Sequence, residues 1–138
     1  MSGPNRWIIR TSIVGPELKP KPYLLQWFLS QKGSVQGYVN QSWNGITSLE
    51  WARWCYRLIR QEVNLPDRIL QPGIQPPLSK YELLKLVADI WNHPAAVQRV
   101  AAPAVIGRTL VPNVPSLPLV EQLRELKDWY VSSSVRLA

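Results

Sequence analysis

Cysteine and histidine are scarce in this sequence, and their scarcity excludes several kinds of site. Cys55 and His93 are the single examples among 138 residues. One cysteine cannot form an intramolecular disulfide, and one cysteine with one histidine cannot build a multi-cysteine zinc site. Nothing in the sequence places the two side chains together as a nucleophilic pair. We therefore predict no catalytic residue, no metal site and no cofactor, and a protein that is not an enzyme.

Long apolar runs and glycine-rich phosphate loops are also missing. The most apolar segment, residues 23–29, is too short to cross a bilayer and is interrupted by Gln26. No G-x-G-x-x-G sequence precedes a helix pattern, so the usual dinucleotide loop is not indicated. The first residues lack the apolar stretch and cleavage site of a secretory signal, which favours a location inside the cell or inside a particle.

Positive charge is in excess and is concentrated in one half of the chain. There are 16 Lys and Arg residues against 9 Asp and Glu residues, which gives a net charge of +7. Residues 1–61 contain eight basic and two acidic residues, whereas residues 62–138 contain eight and seven. This distribution favours a polyanionic partner that meets the N-terminal half.

Helical spacing and helix start signals predict an all-α fold, a small bundle of four or five short helices. Thr47 with Glu50, and Ser79 with Glu82, have the spacing of capping boxes. The predicted helices cover residues 23–32, 48–63, 79–92, 94–100 and 118–130. The second of them has a predicted core stripe of Leu49, Ala52, Cys55, Ile59 and Val63. Residues 33–46 are rich in Gly, Ser, Asn and Gln and are predicted to be a loop, and no strand-like alternation is recognised.

Four prolines divide the first 22 residues, a spacing that excludes a continuous helix. Residues 1–22 are therefore predicted to be an extended basic N-terminal arm, followed by a helical domain at residues 23–138. Thirteen prolines against seven glycines also indicate stiff connections between the elements.

Two basic elements are candidates for contact with a phosphate backbone. Arg53, Arg57 and Arg60 recur at spacings of four and three, so they share one stripe of the predicted second helix. A solvated helix face, with Glu50 paired to one of these arginines, remains the alternative. The arm supplies the second basic element. The predicted nucleic-acid-binding residues are Arg6, Arg10, Lys19, Lys21, Lys32, Arg53, Arg57 and Arg60.

Seven tryptophans are many for a domain of this size, so some of them are expected to contact other chains. Trp7 and Trp43 lie outside the predicted helices and are candidate interface residues, together with Tyr130 on the last helix. Four tryptophans on the predicted helices are expected to be in the core: Trp51, Trp54, Trp91 and Trp129.

The basic arm, the early helix pair, the proline-rich connections and the stretch LRELKDWYVSSS together resemble the major capsid proteins of filamentous archaeal viruses, such as rudiviruses, lipothrixviruses and tristromaviruses. The resemblance implies a structural subunit that wraps double-stranded DNA in A form through sequence-independent contacts. It further implies a dimer with itself or with a paralogous capsid protein, a location in the virion and a possible contact with an envelope.

Two other functions remain open at this point. The helix that carries Arg53 could enter a major groove as the recognition helix of a DNA-binding regulator. Alternatively, the arm and the basic stripe could meet anionic lipid in a scaffold of the matrix type at a membrane surface.

Overall fold

The chain is a mixed α/β protein, not the all-α bundle that the sequence predicts. A computed structural model describes residues 6–17 and 20–132, and these contain four helices and nine short strands. The helices are α1 (Leu24–Ser30), α2 (Ser48–Ile59), α3 (Lys80–Trp91) and α4 (Leu119–Ser132). The strands are β1 (Ile8–Ile9), β2 (Ile13–Val14), β3 (Ser34–Tyr38), β4 (Gln41–Trp43), β5 (Ile46–Thr47), β6 (Ile69–Leu70), β7 (Leu78–Ser79), β8 (Ala96–Val100) and β9 (Ile106–Arg108).

Most of the strand pairs are parallel and join distant parts of the chain. Three two-stranded parallel sheets are formed by β1 with β6, β2 with β5, and β3 with β8. A three-stranded sheet has β4 at its centre, antiparallel to β7 and parallel to β9. Because parallel strands need long connections, each pair closes a loop of many residues.

The error in fold class arises at two segments. The predicted loop at 33–46 contains β3, β4 and the first residue of β5, and most of the predicted helix at 94–100 is strand β8. Strand β3 alternates in burial, but its second buried position is Gly37 rather than a large apolar residue. A Cβ atom there would lie 2.9 Å from the Cα of Tyr81, so glycine is what lets α3 pack on this strand. A glycine in that position hides the alternation from a sequence pattern.

The four longer predicted helices are confirmed, and so is the capping box at Ser79 and Glu82, whereas the one predicted at Thr47 and Glu50 forms only in part because the amide of Thr47 donates to Gln122 Oε1. Thr47 accepts a hydrogen bond from the amide of Glu50 at the start of α2. Ser79 and Glu82 form a complete reciprocal capping box at the start of α3, and Asn92 ends that helix in the left-handed conformation at φ 51°. These signals act within one turn, which is why the sequence alone locates them.

The predicted core stripe of α2 is wrong. Its buried residues are Glu50 and Trp54, whereas Ile59 is 79% exposed. Trp54 packs with Ile46 and Leu70 in a small apolar cluster, so the helix turns a different face inward. The main core lies between α1, α3, α4 and β3, and its fully buried members include Leu25, Phe28, Leu84, Leu123 and Leu126. Within the described ranges, no helix is long and apolar enough to cross a membrane.

The start of the chain takes part in this fold. Strands β1 and β2 pair with β6 and β5, and Trp7 packs against the cluster around Trp54. The division into an arm at 1–22 and a domain at 23–138 remains a prediction, and residues 1–5, 18 and 19 lie outside the described part.

Arg53 connects α2 to α4. Its guanidinium group contacts the carboxylate of Glu125 on α4 and lies 3.5 Å from that of Glu50, which is nearly buried. The hydrogen bond to Glu125 raises the pKa of Arg53 above its ordinary value.

Replacing Arg53 by alanine should lower the free energy of unfolding by about 1 kcal/mol, because Glu50 loses the cation beside it while Arg53 itself is partly exposed. Urea denaturation followed by circular dichroism measures the change. Arg60 pairs with Glu62 at the surface and is the matched control, so Arg60→Ala should leave stability unchanged. Equal effects of the two changes would contradict the assigned role of Arg53.

Candidate ligand-binding cleft

Strand β4 brings two basic side chains to one side of the molecule. Trp43 is in register with Arg108 of β9, and Ser42 is in register with Ser79 of β7. Lys80 follows Ser79 directly as the first residue of α3. Arg108 and Lys80 therefore flank the central strand although they are far apart in sequence.

The two cations border a cleft of about 360 Å³. This volume lies within the range of small-molecule sites. Further parts of the lining come from β2 with the loop after it and from the first turn of α1. The lining residues are Ser12, Ile13, Val14, Gly15, Glu17, Tyr23, Leu24, Leu25, Gln41, Ser42, Trp43, Lys80, Leu83, Ile106 and Arg108.

Lys80 is held in an unusual environment for a lysine. Its ammonium lies 5.8 Å from the ring centre of Trp27 and 5.5 Å from that of Tyr38. Burial, and then the charge of Arg108, lower the pKa of Lys80 below its ordinary value. In the described chain, neither Lys80 nor Arg108 forms an ion pair with a carboxylate. An anion bound between Lys80 and Arg108 would offset this effect, and Glu17 contributes a carboxylate to the same lining.

The cleft also has flat apolar surfaces and neutral polar groups. Trp43 is half-buried, and its indole Nε1 donates to Ser12 Oγ at 2.7 Å, which fixes the ring against β2. Tyr23 is 62% exposed at the start of α1. Gln41 and Ser42 add amide and hydroxyl groups to the lining. A ligand with a diphosphate, a planar ring and several hydroxyl groups would match these surfaces.

Two asparagine side chains hold β9, and hence Arg108, against the sheet. Asn40 donates to the carbonyl of Ala102 at 2.8 Å and accepts from its amide at 2.8 Å. Asn44 is buried; it donates to the carbonyl of Leu110 at 2.7 Å and accepts from its amide at 3.1 Å. The paired bonds fix the chain on either side of β9, and we call them the amide clamps.

The predicted nucleic-acid-binding residues differ in their surroundings, and their contact with nucleic acid stays a prediction. Arg53 and Arg60 are paired with carboxylates, and Arg57 lies over the ring of Trp54 at 4.8 Å. Lys19 lies outside the described residues. The remaining four are exposed and lie apart from the cleft lining: Arg6, Arg10, Lys21 and Lys32.

The predicted interface residues contact this chain's own interior. Trp7 packs against the cluster around Trp54, while Trp43 and Tyr130 pack against the main core. Each is half-buried, so contact with a second chain remains a prediction for their exposed parts.

Sequence reasoning missed Lys80 and Arg108. Each is a single basic residue in the half of the chain whose charges nearly balance, so charge counting passes over both. The one available signal was the position of Lys80 directly after the Ser79 cap, which placed it at a helix start.

Solved structures of several enzymes resemble this fold. The dTDP-4-dehydrorhamnose reductase of Clostridium acetobutylicum superposes with a TM-score of 0.68 at 12% identity, over 91% of this chain and 49% of the reductase. The Bacillus anthracis reductase in complex with NADP superposes with a TM-score of 0.66 at 14% identity, over 91% of this chain and 48% of the reductase. The UDP-glucose 4-epimerase of Thermotoga maritima superposes with a TM-score of 0.59 at 14% identity, over 91% of this chain and 46% of the epimerase.

The chain has the fold of part of these reductases and epimerases. It spans about half their length, and at such low identity the likeness establishes the fold alone. The sequence matches no protein-family model and no curated protein.

These structures correct the functional predictions. Similar solved structures include reductases of dTDP-4-dehydrorhamnose and an epimerase of UDP-glucose, not viral capsid proteins, so the resemblance to capsid proteins is wrong. The same structures contradict the predicted capsid function and its two alternatives. They also contradict the prediction that the protein is not an enzyme. The predicted partners, which are duplex DNA, a second capsid subunit and an envelope, and the virion location are not tested by any of these observations.

Several of the similar structures contain NAD or NADP, and the described residues do not fit such a dinucleotide. A dinucleotide needs glycines whose missing side chains let the pyrophosphate approach a helix start. Here Gly33 and Gly107 are unobstructed but precede no helix, whereas the other described glycines pack against the chain. A Cβ atom on Gly15 would lie 2.1 Å from Ser48 Oγ, and one on Gly45 would lie 2.0 Å from the carbonyl oxygen of Ser12. No chemical step is therefore assigned to a dinucleotide on this chain.

Proposed function

We propose that the cleft binds a sugar nucleotide, and that the chain is the substrate-binding part of a reductase or epimerase that acts on it. The observation that carries the proposal is the pair Lys80 and Arg108, two cations without carboxylate partners in the described chain, at a cleft in a fold shared with dTDP-sugar and UDP-sugar enzymes.

The diphosphate would lie between the two cations. Arginine can meet phosphate oxygens with two parallel bonds, whereas lysine contributes a compact charge. The aromatic rings of Trp27 and Tyr38 hold the Lys80 ammonium near one position. The Lys80 ammonium would therefore be in place before the anion binds.

The charge state of Lys80 makes binding dependent on pH. Its pKa is lowered in the free protein because burial and Arg108 disfavour the ammonium. A bound diphosphate favours the ammonium and raises that pKa again. Affinity should therefore fall as the pH rises through the lowered pKa of the free protein, since the proton must then be taken up on binding.

The remaining lining suits the other parts of a sugar nucleotide. Trp43 and Tyr23 offer aromatic faces to a base, and Ser12, Gln41 and Ser42 offer hydrogen bonds to hydroxyl groups. Which base and which sugar bind is decided by these contacts.

Titration of the purified chain with UDP-glucose and dTDP-glucose tests the proposal, with the tryptophan fluorescence as readout because Trp43 lines the cleft. We expect saturable binding of a sugar nucleotide, weaker binding of the free nucleoside and none of free glucose. Arg124, exposed on α4 and outside the lining, is the control, and Arg124→Ala should bind like the wild type. Absence of sugar-nucleotide binding, or equal binding of glucose, would overturn the proposal.

A further inference from the structure

The C-terminal end of α2 borders a second pocket, which shares no residue with the cleft. Its volume of about 450 Å³ lies within the range of small-molecule sites. The pocket combines an aromatic ring, a cation, a carboxylate and three aliphatic side chains. The lining residues are Trp54, Arg57, Glu62, Val63, Asn64, Leu65 and Val114.

Arg57 supplies this pocket with a cation that is available to a ligand. Its guanidinium group lies over the ring of Trp54, 4.8 Å from the ring centre, and the side chain is exposed. Within residues 6–17 and 20–132, Arg57 forms no ion pair with a carboxylate, whereas Glu62 is paired with Arg60 at 2.7 Å. Because the carboxylate of the lining already has a cation beside it, an anion at Arg57 would meet no competing partner.

Trp54 supplies a second donor. The residue is 5% exposed, and its buried indole Nε1 meets no acceptor in the described chain. Trp43 shows the contrast, because its indole donates to Ser12 Oγ. A buried donor without an acceptor is costly, and such groups in folded proteins generally meet a water molecule or a bound ligand. An acceptor from outside the chain is therefore expected at Trp54.

The rest of the lining offers aliphatic surface and main-chain donors. Val63, Leu65 and Val114 pack against the cluster around Trp54 and are only half-buried. The amides of Val63 and Asn64 donate to no main-chain acceptor in the part of the chain that the structure describes. A ligand with one anionic and one apolar end would match both kinds of surface.

We propose that this pocket binds a small carboxylate that carries an aliphatic group, either a free acid or the last residue of a peptide. The carboxylate accepts hydrogen bonds from the Arg57 guanidinium group and from the Trp54 indole, while the aliphatic group covers Val63, Leu65 and Val114. Because Nε1 of Trp54 is covered in the free chain, binding requires a shift of the exposed Arg57 side chain that lies over the ring.

Titration with isocaproate, followed by NMR of the indole protons, tests the proposal. The Trp54 indole proton should shift downfield and reach saturation, because the donor gains a charged acceptor. Isocaproamide has the same shape without the charge and should bind at least about tenfold more weakly. Equal binding of the acid and the amide, or a Trp54 signal that isocaproate does not move, would overturn the proposal.

A second pair of probes distinguishes the two sources of the carboxylate. N-acetyl-alanyl-leucine ends in a free carboxylate, and its C-terminal amide is the matched control. Binding of the peptide acid at least as tightly as isocaproate would assign the pocket to the end of a peptide. Binding of isocaproate alone would assign it to a free acid. Both results support the proposal, whereas equal binding of the peptide acid and its amide would contradict it.

Arg57→Ala should weaken isocaproate binding at least about tenfold, which is the effect of losing one hydrogen bond to a charged group. The C-terminal end of a helix disfavours an anion, so binding there depends on the guanidinium group. Arg124 is exposed on α4 outside both pockets, and Arg124→Ala is the matched control that should bind like the wild type. Equal losses in the two variants would overturn the proposal. If circular dichroism shows that Arg57→Ala is unfolded, the comparison of acid and amide on the wild type still decides.

Two further observations would decide against a separate carboxylate site. One is a nuclear Overhauser effect between the Trp54 indole proton and a water molecule that persists at saturating isocaproate, because the donor would then be satisfied by water. The other is a loss of sugar-nucleotide binding in folded Arg57→Ala. Since Arg57 lies outside the cleft lining, its variant should bind UDP-glucose or dTDP-glucose within about twofold of the wild type.

Discussion

Replacing Lys80 and Arg108 together by alanine should lower the affinity for a sugar nucleotide by more than about 100-fold. A hydrogen bond to a charged group is worth about 1.5–3 kcal/mol, and 1.4 kcal/mol corresponds to a factor of ten in the dissociation constant. Two such contacts to one diphosphate therefore account for the loss. Isothermal titration with UDP-glucose or dTDP-glucose measures it.

Each single variant should lose less than half of the binding free energy that the double variant loses. Arg108 lowers the pKa of Lys80, so removing either cation relieves a repulsion that the free protein carries. Lys85 and Arg124 are exposed, basic and outside the cleft lining, and the double variant Lys85→Ala/Arg124→Ala is the matched control for net charge. Similar losses in the two double variants would mean that overall charge, not the cleft, attracts the ligand.

Replacing Asn44 by alanine should lower the free energy of unfolding by about 1–3 kcal/mol. The change leaves the amide and carbonyl of Leu110 without their partners and removes a weaker contact to the carbonyl of Ile74. A buried polar group left unpaired costs about 1–3 kcal/mol; Asn44 is 4% exposed, whereas Leu110 is 42% exposed, so water reaches part of the vacated site. Chemical denaturation monitored by circular dichroism measures the loss.

Asn64 provides the control for this prediction. It is an exposed asparagine in the connection after α2, and Asn64→Ala should leave stability unchanged. Since the clamp at Asn44 also positions the segment after Arg108, Asn44→Ala should weaken sugar-nucleotide binding even under conditions where the variant is folded. A folded Asn44→Ala variant with wild-type stability would show that water replaces the clamp at no cost.

The helices could be predicted from the sequence because their signals are local. Ser79 and Glu82 lie three residues apart, and the apolar spacing of α4 repeats within one turn. The strands could not be predicted in this way. Ser34 pairs with Ala96, and Ile8 with Ile69, so the partner that makes each segment a strand lies far along the chain. Strands of two residues are also too short to carry a period.

The sequence did not indicate the cleft, because a cluster of basic residues in the sequence does not show which cations lack a carboxylate partner in the fold. Arg53 and Arg60 stood out as members of a stripe, yet carboxylates on α4 and in the following turn neutralise both. Lys80 and Arg108 stood alone in the sequence and became neighbours only through β4. A site assembled from three strands and the starts of two helices has no contiguous motif.

The clamp at Asn44 also controls the rate at which this asparagine deamidates. Asparagine followed by glycine is the dipeptide in which the next backbone nitrogen most readily attacks the side-chain amide, and Gly45 follows Asn44. In the folded chain the Asn44 amide is held toward Leu110, and Gly45 is packed against Ser12, so the cyclic imide has no room to form. Each unfolding event releases that restraint. Conversion to aspartate then replaces the donor with a carboxylate beside the carbonyl of Leu110, so deamidation at this position records the time that the chain has spent unfolded.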